Sequence, residues 1–328
     1  MSKKTDNRKL TTENYIVPLH HIFLMGQNKN KKGEFWYHVA AFAMILVWGI
    51  SFLNTRVLLD AGLTPTEIFV ARFTIAYVSL LVTSGFKMRY TGWRDELLFV
   101  VCGVAGGSAY FIAENTALEL TLISDVAVLV STAPLTTALM GAIFYRDERI
   151  TWMTFVGMII AFVGSVMLAL KDGLVWGDSI VGDLLALLAA FVWAFYSMAL
   201  KKLNQTYSTL FITRKLFFYG VLSALPLLLM EESKIDWRVF RQPEVWGNLL
   251  YLGLVCSLAA YFIWGITVKR IGAVRASNYF YLSPIISMIA AAIWFGERTT
   301  VVAYIGCTLI LAGVIIAEKF KRKPAINQ

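Results

Sequence analysis

Two ionisable residues, Arg72 and Glu114, stand inside long apolar runs, where bringing a charge to the middle of a bilayer costs about 2.5–3.5 kcal/mol on insertion scales. Something must offset that cost. A buried guanidinium can hold a solute carboxylate through two parallel hydrogen bonds; equally, Arg72 can pair with Glu114 or Asp125 and brace the helices. Glu114 has Tyr110 one turn before it, so the two project from one helical face. A carboxyl taken out of water favours its protonated form, which makes Glu114 a candidate proton carrier. The alternative is a standing hydrogen bond or ion pair to Asn115 or Arg72. Arg214 and Lys215 lie near the start of a later run and read as side chains whose heads reach back to the interface. Asp125 and Asp183 begin their runs, where an acid complements the positive end of a helix.

Around these charges stand residues suited to a cavity wall. Trp48, Trp193, Tyr196, Tyr110 and Tyr261 lie well inside apolar runs, and they either fill a core or form an aromatic chamber for amphipathic organic solutes. Pro134 and Pro284 interrupt two runs and free a carbonyl one turn earlier, which is either a gating kink or a static bend. Asn115 beside Glu114, Ser131 before Pro134, and Asn278 with Tyr279 before Pro284 are the further cavity candidates. Glu148 and Glu297 read as structural hinge acids at the membrane edge. Catalytic chemistry is not expected: no H-E-x-x-H, nucleophile elbow or nucleotide-binding loop occurs. Cys102, Cys256 and Cys307 sit alone, and His20, His21 and His38 lie at or before the first run, so neither a metal site nor a cofactor is expected.

The elements that must position these residues follow from composition. Of the 328 residues 58% are apolar and 16% charged, against roughly 25% charged in soluble domains. Since a crossing helix needs about 20 apolar residues, the runs predict ten helices, near 36–58, 64–84, 97–118, 124–145, 151–170, 180–200, 209–230, 245–268, 273–295 and 300–317. They lack the alternation of barrel strands. Residues 1–34 and 319–328 read as basic tails. With the first residues inside, Lys87, Arg89, Arg94, Lys201, Lys202, Lys269, Arg270, Arg275 and the tail lysines fall on the cytoplasmic side, and the other side is poorer in positive charge. The positive-inside rule then puts both termini in the cytoplasm. The net charge of +9 is thus an orientation signal, and no nucleic-acid partner is inferred from it.

Residues 35–171 and 180–318 repeat one another. Thr151 to Gly157 followed by Gly164 is echoed by Thr300 to Gly306 followed by Gly313. Ala109-Tyr110-Phe111-Ile112 recurs as Ala260-Tyr261-Phe262-Ile263, Pro134 as Pro284, Glu148-Arg149 as Glu297-Arg298, and Trp48 with Arg72 as Trp193 with Arg214. Matches in the same order across the chain indicate duplication. Five helices per half is an odd number, so the halves would enter the membrane from opposite faces. Inverted repeats of this kind place a solute site at their interface near the midplane and let it open alternately to each side. The small-residue pairs Gly103/Gly107, Gly253/Ser257, Gly157/Gly164 and Gly306/Gly313 suit close helix approach, within one chain or in a homodimer.

These residues resemble the EamA-type group of the drug/metabolite transporter superfamily. The likeness rests on Trp48-Gly49-Ile50-Ser51-Phe52 in the first run, Arg72 in the second, Glu114-Asn115-Thr116-Ala117-Leu118 closing the third, and the paired prolines and acids, and it covers residues 36–318. It implies ten helices, cytoplasmic termini in a bacterial-type inner membrane and, as in many bacterial members, export of amino acids or related metabolites. The second half departs from the pattern at Trp193-Ala194, and Gly265 stands opposite Glu114, so the halves contribute unequally to any site. With no nucleotide motif, the expectation is a secondary carrier whose partners are the bilayer, a small organic solute and candidate coupling protons. The competing readings are a lipid or lipid-linked sugar translocator, with grooves open to lipid, and a membrane scaffold or receptor without flux.

Overall fold

The computed structural model describes residues 31–85, 88–145, 150–169, 179–231, 238–295 and 300–320. The expected hinge acids Glu148 and Glu297, most of both tails and the link at 172–178 lie outside them. Among the described residues the chain is helical without strands. Its elements are α1 Lys31–Asp60, α2 Pro65–Ser84, α3 Trp93–Leu120, α4 Ile123–Val130, α5 Ala133–Phe144, α6 Trp152–Ala169, α7 Ile180–Leu203, α8 Thr209–Met230, α9 Pro243–Ile271, α10 Ala273–Ser277, α11 Ser283–Phe295 and α12 Val301–Lys319. Several start where side chains satisfy free backbone donors. At α2 the Thr64 hydroxyl accepts from the Glu67 N–H at 3.2 Å, the Glu67 carboxylate accepts from the Thr64 N–H at 2.9 Å, and Pro65 occupies the first turn, a reciprocal capping box. Ser179 and Thr300 cap α7 and α12 in the simpler way.

Eight of these stretches are long and apolar enough to cross a membrane, α4 and α5 counting together as one, and Trp152–Met167 is a shorter apolar helix. Two of the ten expected runs are not single helices. The run at 124–145 breaks into α4 and α5 at Ser131 and Thr132, and that at 273–295 divides into α10, a 3-10 turn Asn278–Leu282 and α11. The cause is local: Pro134 and Pro284 each occupy the first turn of the helix that follows the break, where the missing N–H costs nothing.

The run structure hid a second irregularity. α3 carries a π-helical stretch, Val104–Ser108, and α9 a longer one, Tyr251–Ala259. Each ends immediately before the repeated Ala-Tyr-Phe-Ile. These widened turns are the seats for the neighbouring helices: α8 packs on the first and α2 on the second. Small residues make that approach possible, since a Cβ on Gly103, at the head of the first stretch, would stand 2.8 Å from the Gly220 backbone of α8 and one on Gly253 2.7 Å from Ile75 of α2.

α6 and α12 pack along their length. A Cβ on Gly157 would lie 2.5 Å from the Ala317 backbone, and one on Gly164 2.6 Å from the Gly306 carbonyl, so the paired glycine stripes are consumed inside one chain. The described chain ends lie together: Arg275 bridges Glu34 at 2.7 Å and Glu318 at 2.8 Å. At the other end, about 45 Å away by the rise of a 30-residue helix, Thr64 donates to Glu231 at 2.8 Å and Thr121 to Asp183 at 3.2 Å.

Candidate functional site

The helix breaks and the turns of α3 that follow its π-helical stretch meet around a small central chamber. α1 contributes Ile45, Trp48, Ser51 and Phe52, α3 contributes Tyr110, Phe111 and Glu114, and Val130, Trp193, Phe280 and Ser283 complete the wall. Its volume is only about 20 Å³, room for about one water molecule. The chamber is therefore shut in this conformation, and a solute enters only if the walls part.

One carboxylate side chain is on its wall. Glu114 is buried, and Tyr110, one turn earlier on α3, donates its hydroxyl to the carboxylate at 2.6 Å. Aromatic rings make up most of the remaining wall. Trp48 stands edge-on to Trp193 at 5.5 Å and stacks with Phe280 at 5.9 Å, and Trp193 lies 5.0 Å from Tyr110 and 5.2 Å from Phe280, the offset and edge arrangements such rings prefer. Trp48 is pinned by an indole N–H bond to the Cys256 carbonyl at 2.9 Å, on the second π-helical stretch. The Trp193 indole nitrogen is buried with no hydrogen-bond partner among the described residues, an unspent donor on a residue of the wall.

The other residues singled out from the sequence occupy different places. Tyr196 and Tyr261 form the layer behind the wall; Tyr261 donates to the Gly106 carbonyl at 2.5 Å, on the π-helical stretch, and stands 5.8 Å from Tyr196. Arg72 is buried there as well. Its Nε donates to Ser257 at 3.0 Å and its guanidinium caps the Phe111 ring at 4.1 Å, while one terminal nitrogen has no partner among the described residues. Asn115 points toward α2 and donates to the Pro65 carbonyl at 3.2 Å. Ser131 turns back onto its own helix, to Val128 at 2.6 Å. Asn278 is buried away from the chamber, and Tyr279 bonds His38 at 2.7 Å, beside the Arg275 cluster at the chain-end side.

Arg214 and Lys215 do not reach out to water as the sequence suggested. Both are buried: Arg214 donates to the Ser84 hydroxyl at 2.5 Å and its carbonyl at 3.1 Å, and Lys215 pairs with Glu96. The reason is that α8 packs against α2 and α3 along this stretch. Glu96 also accepts from Tyr219 at 2.5 Å and from the Thr91 N–H at 3.0 Å, while Lys215 lies near the Phe99 and Phe211 rings, at 4.9 and 5.3 Å. Sequence reasoning missed this pair because its members are 119 residues apart; the signal within reach was an acid, Glu96, at the head of an apolar run. Nearby, Tyr207 outside the spans donates to Asp95 at 2.5 Å, and that bond raises the phenol above its ordinary value.

A second cavity, about 550 Å³, lies at the end away from the chain ends, between α2, α3 and α8. Thr64, Thr66, Thr116, Glu119 and Glu231 give it its polar groups, and Pro65, Ile112, Leu227 and Met230 the apolar ones. Ile112, Thr116 and Glu119 belong to the same helix as Glu114, so α3 runs from the chamber to this mouth.

A model of the EamA-like transporter family matches residues 35–170 and 180–318. A probable terminal-alkyne amino-acid exporter of Streptantibioticus cattleyicolor is 28% identical over 276 residues, covering 84% of this chain and 91% of that protein. An uncharacterized transporter of Archaeoglobus fulgidus is 25% identical over 290 residues, covering 85% and 96%, and the uncharacterized transporter YdfC of Bacillus subtilis is 27% identical over 274 residues, covering 83% and 87%. A solved crystal structure, 22% identical in sequence, superposes with a TM-score of 0.67 over 86% of this chain and 98% of that one, a likeness of fold.

Proposed function

Because the chain belongs to the EamA-like transporter family, we propose that this multi-pass membrane transporter is a secondary carrier that exports small organic metabolites of the amino-acid kind by alternating access. The observation that carries the reading is the shut chamber around Glu114, walled by the helix breaks of both halves of the chain. A chamber of about 20 Å³ buried among crossing helices suits a carrier passing through an occluded state; a permanent pore would leave a continuous path.

Two inverted five-helix halves provide the motion. In support, the π-helical stretches precede the same tetrapeptide in each half, the breaks fall at the repeated prolines, and α6 and α12 meet through the repeated glycines. α1 starts at the Arg275 end, whereas α7 starts beside Thr121 at the opposite end. In this reading the chain-end side, which carries Lys201, Lys202, Lys269 and Arg270 at helix ends, faces the cytoplasm. The name of the Streptantibioticus cattleyicolor relative favours amino acids as the cargo class. Glu114, the carboxylate on the chamber wall, is the residue through which a proton could exchange with the solute.

The test is a metabolite uptake screen in sealed vesicles containing the protein, with and without an imposed pH gradient, against protein-free vesicles. Saturable flux of an amino acid or related metabolite is expected, with acceleration by the gradient if Glu114 couples protons. No flux above the protein-free control for any solute would overturn the carrier reading.

A further inference from the structure

The chain carries 30 basic residues against 21 acidic ones, yet neither the central chamber nor the outer cavity has a Lys or Arg on its wall among the described residues. The central chamber presents the Glu114 carboxylate, and the outer mouth presents Glu119 and Glu231. Arg72, the cation that the sequence offered as a carboxylate clamp, stands behind Phe111 with its Nε held by Ser257, and it is not part of the chamber wall. Acidic groups on the walls of both cavities, with the nearest buried cation set behind a ring, favour a cationic solute over an anionic one.

The wall around the carboxylate has the matching chemistry. Trp48, Tyr110, Trp193 and Phe280 present rings to the same small space, beside Phe111, which already carries Arg72 over one face, and aromatic rings attract an ammonium group, more so where water is excluded. A carboxylate with one hydroxyl donor, Tyr110, keeps acceptor capacity for an N–H bond from a guest. The unpartnered Trp193 indole N–H asks only for a neutral acceptor such as a hydroxyl or carbonyl oxygen.

We infer that the group this site reads is an ammonium, so that its substrates are organic amines with an aromatic or apolar body, held by Glu114 within the aromatic chamber. The inference rests on the carrier reading for its biological sense, but binding tests it without requiring transport. An amine that binds without crossing would sink the carrier reading alone; a carried free acid would sink this inference alone.

The experiment is equilibrium dialysis of the full-length protein in detergent with labelled phenethylamine, phenylalanine and phenylacetate, which share a phenyl group and differ in charge. Saturable binding of phenethylamine is expected at least about tenfold tighter than phenylacetate, with the zwitterion between them. Glu114→Gln should weaken phenethylamine about tenfold or more while Glu114→Asp retains most of the affinity, both being scored only as monodisperse protein. Glu119→Gln with Glu231→Gln, at the mouth, should slow association and make it less sensitive to salt. Phenylacetate binding as tightly as phenethylamine, unchanged phenethylamine affinity in Glu114→Gln, or no saturable phenethylamine binding would each overturn the assignment.

Discussion

Glu114 and Arg72 are both buried but play different parts. Glu114 reaches the chamber, whereas Arg72 ties α2 to the second π-helical stretch through Ser257 and supports Phe111. Glu114→Gln keeps the shape and removes the charge, so vesicle flux should fall about tenfold or more, the value of one charge-assisted hydrogen bond, with expression and monodispersity unchanged. Arg72→Ala should lower both flux and thermal stability, because it deletes packing as well as charge; wild-type flux in both variants would remove these residues from the mechanism. The rarity of intramembrane charge and the depth of the aromatics made Trp48, Tyr110, Glu114 and Trp193 legible in the sequence. The rest of the wall needed the fold. Ser131 and Tyr279 have suitable side chains in the right stretch of chain, but one bonds its own helix and the other the His38 cluster, and no spacing rule reveals which way a side chain turns at a helix break.

At the scale of the elements, the structure is held by a few specific crossings. The Lys215–Glu96 pair joins α8 to the head of α3. Lys215→Met would strand a buried carboxylate and should cost about 3–5 kcal/mol, while Lys215→Met with Glu96→Leu should cost less than the sum of the single changes; thermal denaturation of the four proteins in detergent measures both. The α6–α12 seam depends on backbone contact, so Gly164→Val would press branched carbons against the Gly306 carbonyl, and helix separation with loss of the monodisperse species is expected. Proline positions and apolar runs sufficed to foresee the interruptions in the fourth and ninth runs. The π-helical stretches were not foreseeable in that way, because Gly, Ala and Ser fit α- and π-turns alike, and the widened turn is chosen by what packs on it, Phe73 and Gly220 against α3 and Ile75 against α9.

For the whole molecule, the duplicated order of motifs made the family and a two-part chain legible, and the family model matches the two stretches separately. Order along a sequence does not convey conformation, and the chamber volume that suggests an occluded state emerges only from the packed structure. The most direct measurement of alternating access places one cysteine at Ser283, on the chamber wall, with Cys102, Cys256 and Cys307 replaced by alanine. A membrane-impermeant thiol reagent is applied from each side in turn to this protein and to a second one in which Thr64 and Glu231, hydrogen-bonded at 2.8 Å beside the outer cavity, are also replaced by cysteine and joined by a bifunctional thiol cross-linker. Alternating access predicts that the chamber cysteine reacts from both sides in the first protein and only from the chain-end side in the cross-linked one. Reaction from a single side in the first protein, or continued reaction of the chamber cysteine from the outer-cavity side in the cross-linked one, would contradict it.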